Sequence, residues 1–233
     1  MARPPALTTV SSQLAKTLTS AEELYRAVKR FGDGTRDSIN GREALFPGQA
    51  RRVVALAFLQ SVIGWEDFVE AVFVRYLAGA ESPAKYRPSL RLTAAKSLSH
   101  AFQLASGDPD YDPQKHYISW NKWKSVESLA KVFLDAGRPF TNITEQEKQR
   151  LGDCVVIRNR IAHNSLKCKS HFIEVSKTHL GLPATGKLAQ GFSPGQLLLT
   201  SSNRLFGKNA PVKPFFEHYL DTIRSCSNRI CPQ

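Results

Sequence analysis

Between Gln49 and Ala78 the chain carries one long segment that is apolar nearly all round over Val53 to Phe58. Its charge-free run extends from Val53 to Trp65. A helix that is hydrophobic on every side has no solvent face and belongs in the middle of a packed bundle. The run is too short to span a bilayer, so the expectation is a central helix and no membrane partner.

The remaining stripes are those of helices that could pack around it. Leu14, Leu18, Ala21, Tyr25 and Val28 recur at spacings of four and three and predict a helix over about residues 9 to 31. Gly32-Asp33-Gly34 ends it, and residues 33 to 47 read as a loop with Gly41 and Pro47. Pro83 and Pro88 break the chain. Leu90, Ala94, Leu98, Phe102 and Ala105 form a third stripe, followed by the turn-rich Gly107–Pro113. Trp120, Trp123, Val126, Ala130 and Phe133 form a fourth, and aromatics at that spacing are read as core. Thr144 with Glu147 is a capping box that opens a helix running to about His163.

After that helix the character changes. Residues 166–210 contain Gly181, Pro183, Gly186, Gly191, Pro194, Gly195 and Gly207. Two short alternations, Phe172–Val175 and Gln196–Leu199, predict a small β-hairpin or an irregular flap. Pro211 suits the first position of a last helix with the stripe Val212, Phe216, Tyr219, Ile223 and Cys226. The fold class expected is therefore all-α. It is an up-down bundle of about five to six helices with a loop or small β-hairpin insertion after the fifth. One domain is expected over 1–233, with a core of about 9–165 plus 211–230 and an insertion of about 166–210.

The 233 residues carry a formal charge of +12. That balance favours a polyanionic partner, and the basic residues are spread along the chain rather than gathered in a tail. Cys154, Cys168, Cys226 and Cys231 have no zinc-like spacing, and Cys154 falls on an apolar stripe. With Pro4-Pro5 and polar Thr and Ser, Met1–Leu18 lacks the apolar core of a secretory signal. Reduced thiols in a cytoplasmic setting, no metal site and no cofactor are expected.

The chemistry is concentrated in Ile157-Arg158-Asn159-Arg160-Ile161-Ala162-His163-Asn164. Arginine is a planar fork of donors that matches a phosphate and stays charged. Histidine titrates near neutrality and moves protons. Asn159 and His163, four apart, share a helix face. Arg158 falls inside the stripe of Leu151, Cys154, Val155, Ile157, Ile161 and Ala162, so it must be paired or face a cleft or partner. In the plainer reading, Arg158 pairs with an interior carboxylate and His163 is a satisfied histidine.

Arg158-Asn159-x-x-x-His163-Asn164 resembles the signature of the HEPN superfamily, small all-helical domains that include metal-independent ribonucleases of bacterial toxin–antitoxin, phage-defence and CRISPR systems. The motif's place late in the helical core fits that family, and Gly64-Trp65-Glu66-Asp67-Phe68-Val69-Glu70 is similar to a tryptophan–acid stretch in some of its groups. The resemblance implies a homodimer with the motif at its interface. Two motifs across a two-fold axis would supply both proton-transfer groups and two arginines, where one chain offers one motif histidine.

On this reading the protein is a metal-independent endoribonuclease acting through 2′-hydroxyl attack, with Arg158, Asn159 and His163 catalytic. Asn159 orients His163 or the phosphate, and Asn164 caps the helix end. Arg160, Asn164, Lys167 and Lys169 hold RNA, with Lys177 adding general attraction. Lys167 and Lys169 have a second reading, as solvated charges favoured near a helix C-terminus. An inhibitory antitoxin or defence-system partner protein is a further expectation of this class. The alternative function is a non-catalytic helical module that binds RNA or protein. A purely structural bundle fits the charge and the place of Arg158 less well.

Overall fold

The computed structural model describes residues 6–32, 45–207 and 209–233. It is all-α, as expected, with eight α-helices among the described residues. They are α1 (Leu7–Gly32), α2 (Pro47–Leu77), α3 (Leu98–Ser106), α4 (Trp123–Phe133), α5 (Glu145–Ala162), α6 (Leu166–Leu180), α7 (Pro194–Leu199) and α8 (Phe215–Ile230). Two 3₁₀ turns, Asp135–Gly137 and Phe140–Asn142, lie between α4 and α5. None of the described helices is long and apolar enough to cross a membrane. The predicted loop at 33–47, with its Gly32-Asp33-Gly34 stop and Gly41, falls mostly on residues 33–44, outside the described residues.

The chain forms two compact units, and α1, α2, α5 and α8 each contribute a segment to both. The first unit is built from the start of α1, residues 64–152 and the end of the chain from Thr222. Its core is aromatic: Trp65 stacks on Trp123 at 5.9 Å, and Phe73 meets both Trp120 and Phe140 at 5.2 Å. Burying each such ring contributes about 1.5–3 kcal/mol. Tyr76 Oη donates to the Ile230 carbonyl at 2.9 Å, tying α2 to the end of α8.

The capping box at the head of α5 forms as predicted. Thr144 Oγ1 accepts from the Glu147 N–H at 3.2 Å, and Glu147 Oε2 accepts from the Thr144 N–H at 3.0 Å. Glu147 reaches further, since its Oε1 accepts from Ser225 Oγ at 2.9 Å and lies 3.4 Å from Arg229 Nε. Burial pushes this carboxyl up, but the Thr144 and Ser225 hydrogen bonds and Arg229 outweigh it and hold its pKa below the usual value.

Two stripes are shorter than their periodicity implied. In the third, only Leu98–Ser106 is helical, because Ser97 caps the N-terminus by accepting from the His100 N–H at 3.1 Å. The preceding Leu90 instead bridges Leu134. In the fourth, Trp120 lies ahead of α4, where its Nε1 donates to Glu70 Oε2 at 2.6 Å.

The second unit holds residues 17–63 and 153–221 as far as they are described. The predicted stripe of α1 is buried here at Leu18, Ala21, Tyr25 and Val28. Tyr25 stacks on Phe216 at 4.6 Å, and Phe58 meets Tyr219 edge-on at 5.6 Å. Phe216, Tyr219, Ile223 and Cys226 of α8 are buried as predicted, whereas Val212 is 68% exposed and precedes the helix. Pro211 is therefore not its first residue.

The region after α5 corrects the sequence reading. Phe172–Val175 lies inside α6 and Gln196–Leu199 inside α7; neither is a strand. Ser165 accepts from the Cys168 N–H at 3.2 Å, and Gly181, in the left-handed region at φ 68°, closes the far end. Between these caps Phe172, Ser176 and His179 are buried at helical spacing, so the apparent two-residue alternation is coincidental. A small hairpin exists, but elsewhere: β1 (Ser201–Ser202) pairs antiparallel with β2 (Lys213–Pro214). All four cysteines are free thiols, and burial pushes the Cys226 thiol up to about 12.

Candidate functional site

The motif occupies the last turns of α5, inside the second unit. Cys154 and Ile157 are buried and anchor the helix. Arg158, Asn159, Arg160 and Ile161 are half-buried, and Ala162, His163 and Asn164 are exposed. The helix thus turns from core to solvent across the motif.

Two hydrogen-bonded pairs organise it. Arg158 Nη1 donates to Asn159 Oδ1 at 2.9 Å. The amide oxygen of Asn159 is therefore engaged by arginine, and its link to His163 runs through the backbone, where the His163 N–H donates to the Asn159 carbonyl at 2.9 Å. Arg160 Nη1 donates to Asn164 Oδ1 at 2.9 Å and to the His163 carbonyl at 3.2 Å. The expected capping by Asn164 is indirect: Arg160 reaches the terminal carbonyl, and a cation there also complements the helix dipole. His163 itself is exposed.

Lys167 and Lys169 are exposed in the first turn of α6, five and seven residues past the end of α5. The positive end of a helix dipole disfavours cations, so helix stability does not explain them there. Leu166, beside them, is 84% exposed.

A cleft of about 470 Å³ opens against the end of α5. Arg160, Ile161 and Asn164 form one wall. Arg51, Arg52 and Leu56 of α2 form another, and Gly191 and Ser193–Gly195 close it. Gly195 is what permits this closure, because a Cβ there would stand 1.9 Å from the Arg51 carbonyl oxygen. Arg158, Asn159, His163, Lys167 and Lys169 are not among its lining residues. Sequence reading missed Arg51 and Arg52. The available signal was the absence of any Asp or Glu from Leu45 to Trp65, from Cys154 to Ile173 and from Val175 to Phe216, the stretches that supply every wall of the cleft.

His179 and His218 of this unit serve the core, while His171 is exposed. Tyr219 Oη lies 2.5 Å from His179 Nε2, and His179 Nδ1 lies 2.8 Å from the Val175 carbonyl. Both contacts are satisfied by a neutral ring protonated on Nδ1. Asp153, 3.6 Å from Nε2, would pair with the ring only if it were charged, and burial pushes the His179 pKa down. His218 stacks on Phe206 at 4.0 Å and bonds to the Ser202 carbonyl at 2.8 Å.

In the first unit, the tryptophan–acid stretch divides its tasks. Trp65 is core, while Glu66, Asp67 and Glu70 line a pocket of about 160 Å³ with Tyr111, His116 and Trp120. Burial raises the Glu70 pKa, partly offset by the Trp120 hydrogen bond. No group of three or more His, Cys, Asp or Glu side chains among the described residues is arranged to hold a metal ion. Comparison with protein-family models, curated proteins and solved structures gives no match to this chain.

Proposed function

We propose that this protein is a metal-independent endoribonuclease of the toxin or phage-defence type, similar to HEPN ribonucleases, that acts in the cytoplasm as a homodimer. The observation that carries the reading is the exposed His163 at one helix end, where Arg160 Nη1 holds its carbonyl and the Arg158–Asn159 pair lies one turn earlier on the same helix. Lys167 and Lys169, placed where a helix dipole opposes them, support an anionic substrate.

In the proposed reaction His163 of one protomer accepts the proton of the RNA 2′-hydroxyl. The 2′-oxygen attacks phosphorus as the P–O5′ bond breaks. His163 of the partner subunit, protonated, gives its proton to the leaving 5′-oxygen. Arg158 stabilises the charge on the phosphoryl oxygens, and Asn159 holds Arg158 in place. The products are a 2′,3′-cyclic phosphate and a 5′-hydroxyl. A partner protein that covers the motif would silence the reaction.

The engagement of Asn159 by Arg158 rather than by the imidazole favours a second reading, a non-catalytic RNA- or protein-binding module. Incubating purified protein with total RNA in EDTA, beside His163→Ala, separates the two. The ribonuclease reading expects cyclic-phosphate ends from wild type and a loss of about 10²–10⁴-fold in the variant. Activity that EDTA abolishes and magnesium restores would overturn it.

A further inference from the structure

Resting on that reading, we propose that the cleft between α2 and the end of α5 grips the RNA backbone beside the scissile phosphate, with Arg51 and Arg52 as binding residues. Three arginines, Arg51, Arg52 and Arg160, meet in it. Among the described residues no carboxylate lines it and no acid forms an ion pair with Arg51 or Arg52. Three cations gathered in one cleft repel one another, an arrangement that an anionic ligand relieves.

Shape and chemistry narrow the ligand. The volume of about 470 Å³ lies within the roughly 300–1,000 Å³ of clefts that hold small ligands or segments of larger ones. Arginine forks match phosphate oxygens in pairs. Arg160 uses Nη1 for His163 and Asn164, and its orientation is fixed by those bonds. Leu56, 52% exposed, and Ile161 add an apolar surface for a sugar or base between the charges. The cleft is continuous along the chain with the motif, since Asn164 lines it and His163 is the preceding residue. An acidic peptide's carboxylates would also pair with the arginine forks, but they bring no sugar or base for the Leu56 and Ile161 surface.

The test is the salt dependence of binding to a fluorescent 2′-O-methyl RNA oligonucleotide, which lacks the attacking hydroxyl and is not cut. Wild type, Arg52→Ala and Arg51→Ala/Arg52→Ala are compared by anisotropy, with circular dichroism as a check on folding. Each lost phosphate contact lowers the slope of log K against log salt by about 0.7 for a single strand. The expected changes are therefore about 0.7 for the single variant, whose side chain is exposed, and about 1.4 for the double one. Unchanged slopes in folded variants would overturn the proposal, even where wild type cleaves RNA. Wild type that binds with the expected slopes but never cleaves leaves the cleft standing and sinks the ribonuclease reading. A poly-glutamate competitor that displaces RNA at equal charge concentration would reassign the cleft to an acidic protein partner and overturn the assignment to RNA.

Discussion

Arg160 and Asn164, one helical turn apart, are locked together across the end of α5 by a 2.9 Å hydrogen bond, and the same guanidinium nitrogen reaches the His163 carbonyl at 3.2 Å. The bond links the backbone that presents His163 to the wall of the arginine cleft. One charged side chain thus serves helix end, motif and cleft.

Removing either partner should therefore act on RNA more than on the fold. Arg160→Ala and Asn164→Ala are expected to cost about 0.3–1 kcal/mol of stability, as the loss of a cation held at a helix C-terminus does. Both should weaken RNA binding, and the double variant should lose less than the sum of the two singles, because each disrupts the same pair. Additive losses in a binding double-mutant cycle would show that the pair does not act as a unit.

The proposed two-chain site makes a prediction about mixtures. Inactive His163→Ala chains added to wild type should lower activity by more than dilution, since mixed dimers lose one of two proton-transfer groups. Sedimentation of both samples at assay concentration checks the association state. A fully active monomer would rule the two-histidine mechanism out.

Glu147 should be a stability residue. It completes the capping box and accepts from Ser225 at 2.9 Å, so Glu147→Ala removes a cap and leaves a half-buried hydroxyl without its acceptor. A loss of about 1–3 kcal/mol is expected. For a protein of this size that lowers Tm by roughly 2–4 °C per kcal/mol, measurable by thermal melts. Its carboxyl pKa is lowered by folding from 4.5. The stability it contributes is present in full above that value and is lost as pH falls through the folded pKa.

His179 predicts an acid sensitivity at higher pH. Burial lowers its folded pKa below 6.5, so the unfolded chain takes up the proton first. Stability should be level above pH 6.5 and fall as pH drops from there through the lower folded value. Urea midpoints across pH 5–8 would show this slope, and His179→Gln should flatten it. An unchanged slope in that variant would assign the sensitivity to another group.

Much of the fold is legible along the chain because helical burial is periodic. The stripe Leu14, Leu18, Ala21, Tyr25 and Val28 predicted the buried face of α1, and Thr144 with Glu147 marked the start of α5. Where a local signal outweighed periodicity, the reading failed. Ser97 cut the third stripe short at its cap, and Ser165 with Gly181 enclosed a helix that short alternation had suggested was a strand. Caps act through one hydrogen bond at one residue, which a periodicity count over many residues averages away.

The site divides in the same way. By itself the sequence determined that α5 ends in an arginine–asparagine–histidine motif and that the chain carries a formal charge of +12. Only the tertiary structure decided which of these groups meet. It set Arg158 on Asn159 and Arg160 on Asn164, and it brought Arg51 and Arg52, more than a hundred residues away in sequence, to the same cleft as Arg160. The physical reason is that a side chain's chemical type is a local property. Its neighbours across a cleft depend on which helix faces pack, and here on Gly195 lying against the Arg51 backbone where no other side chain fits.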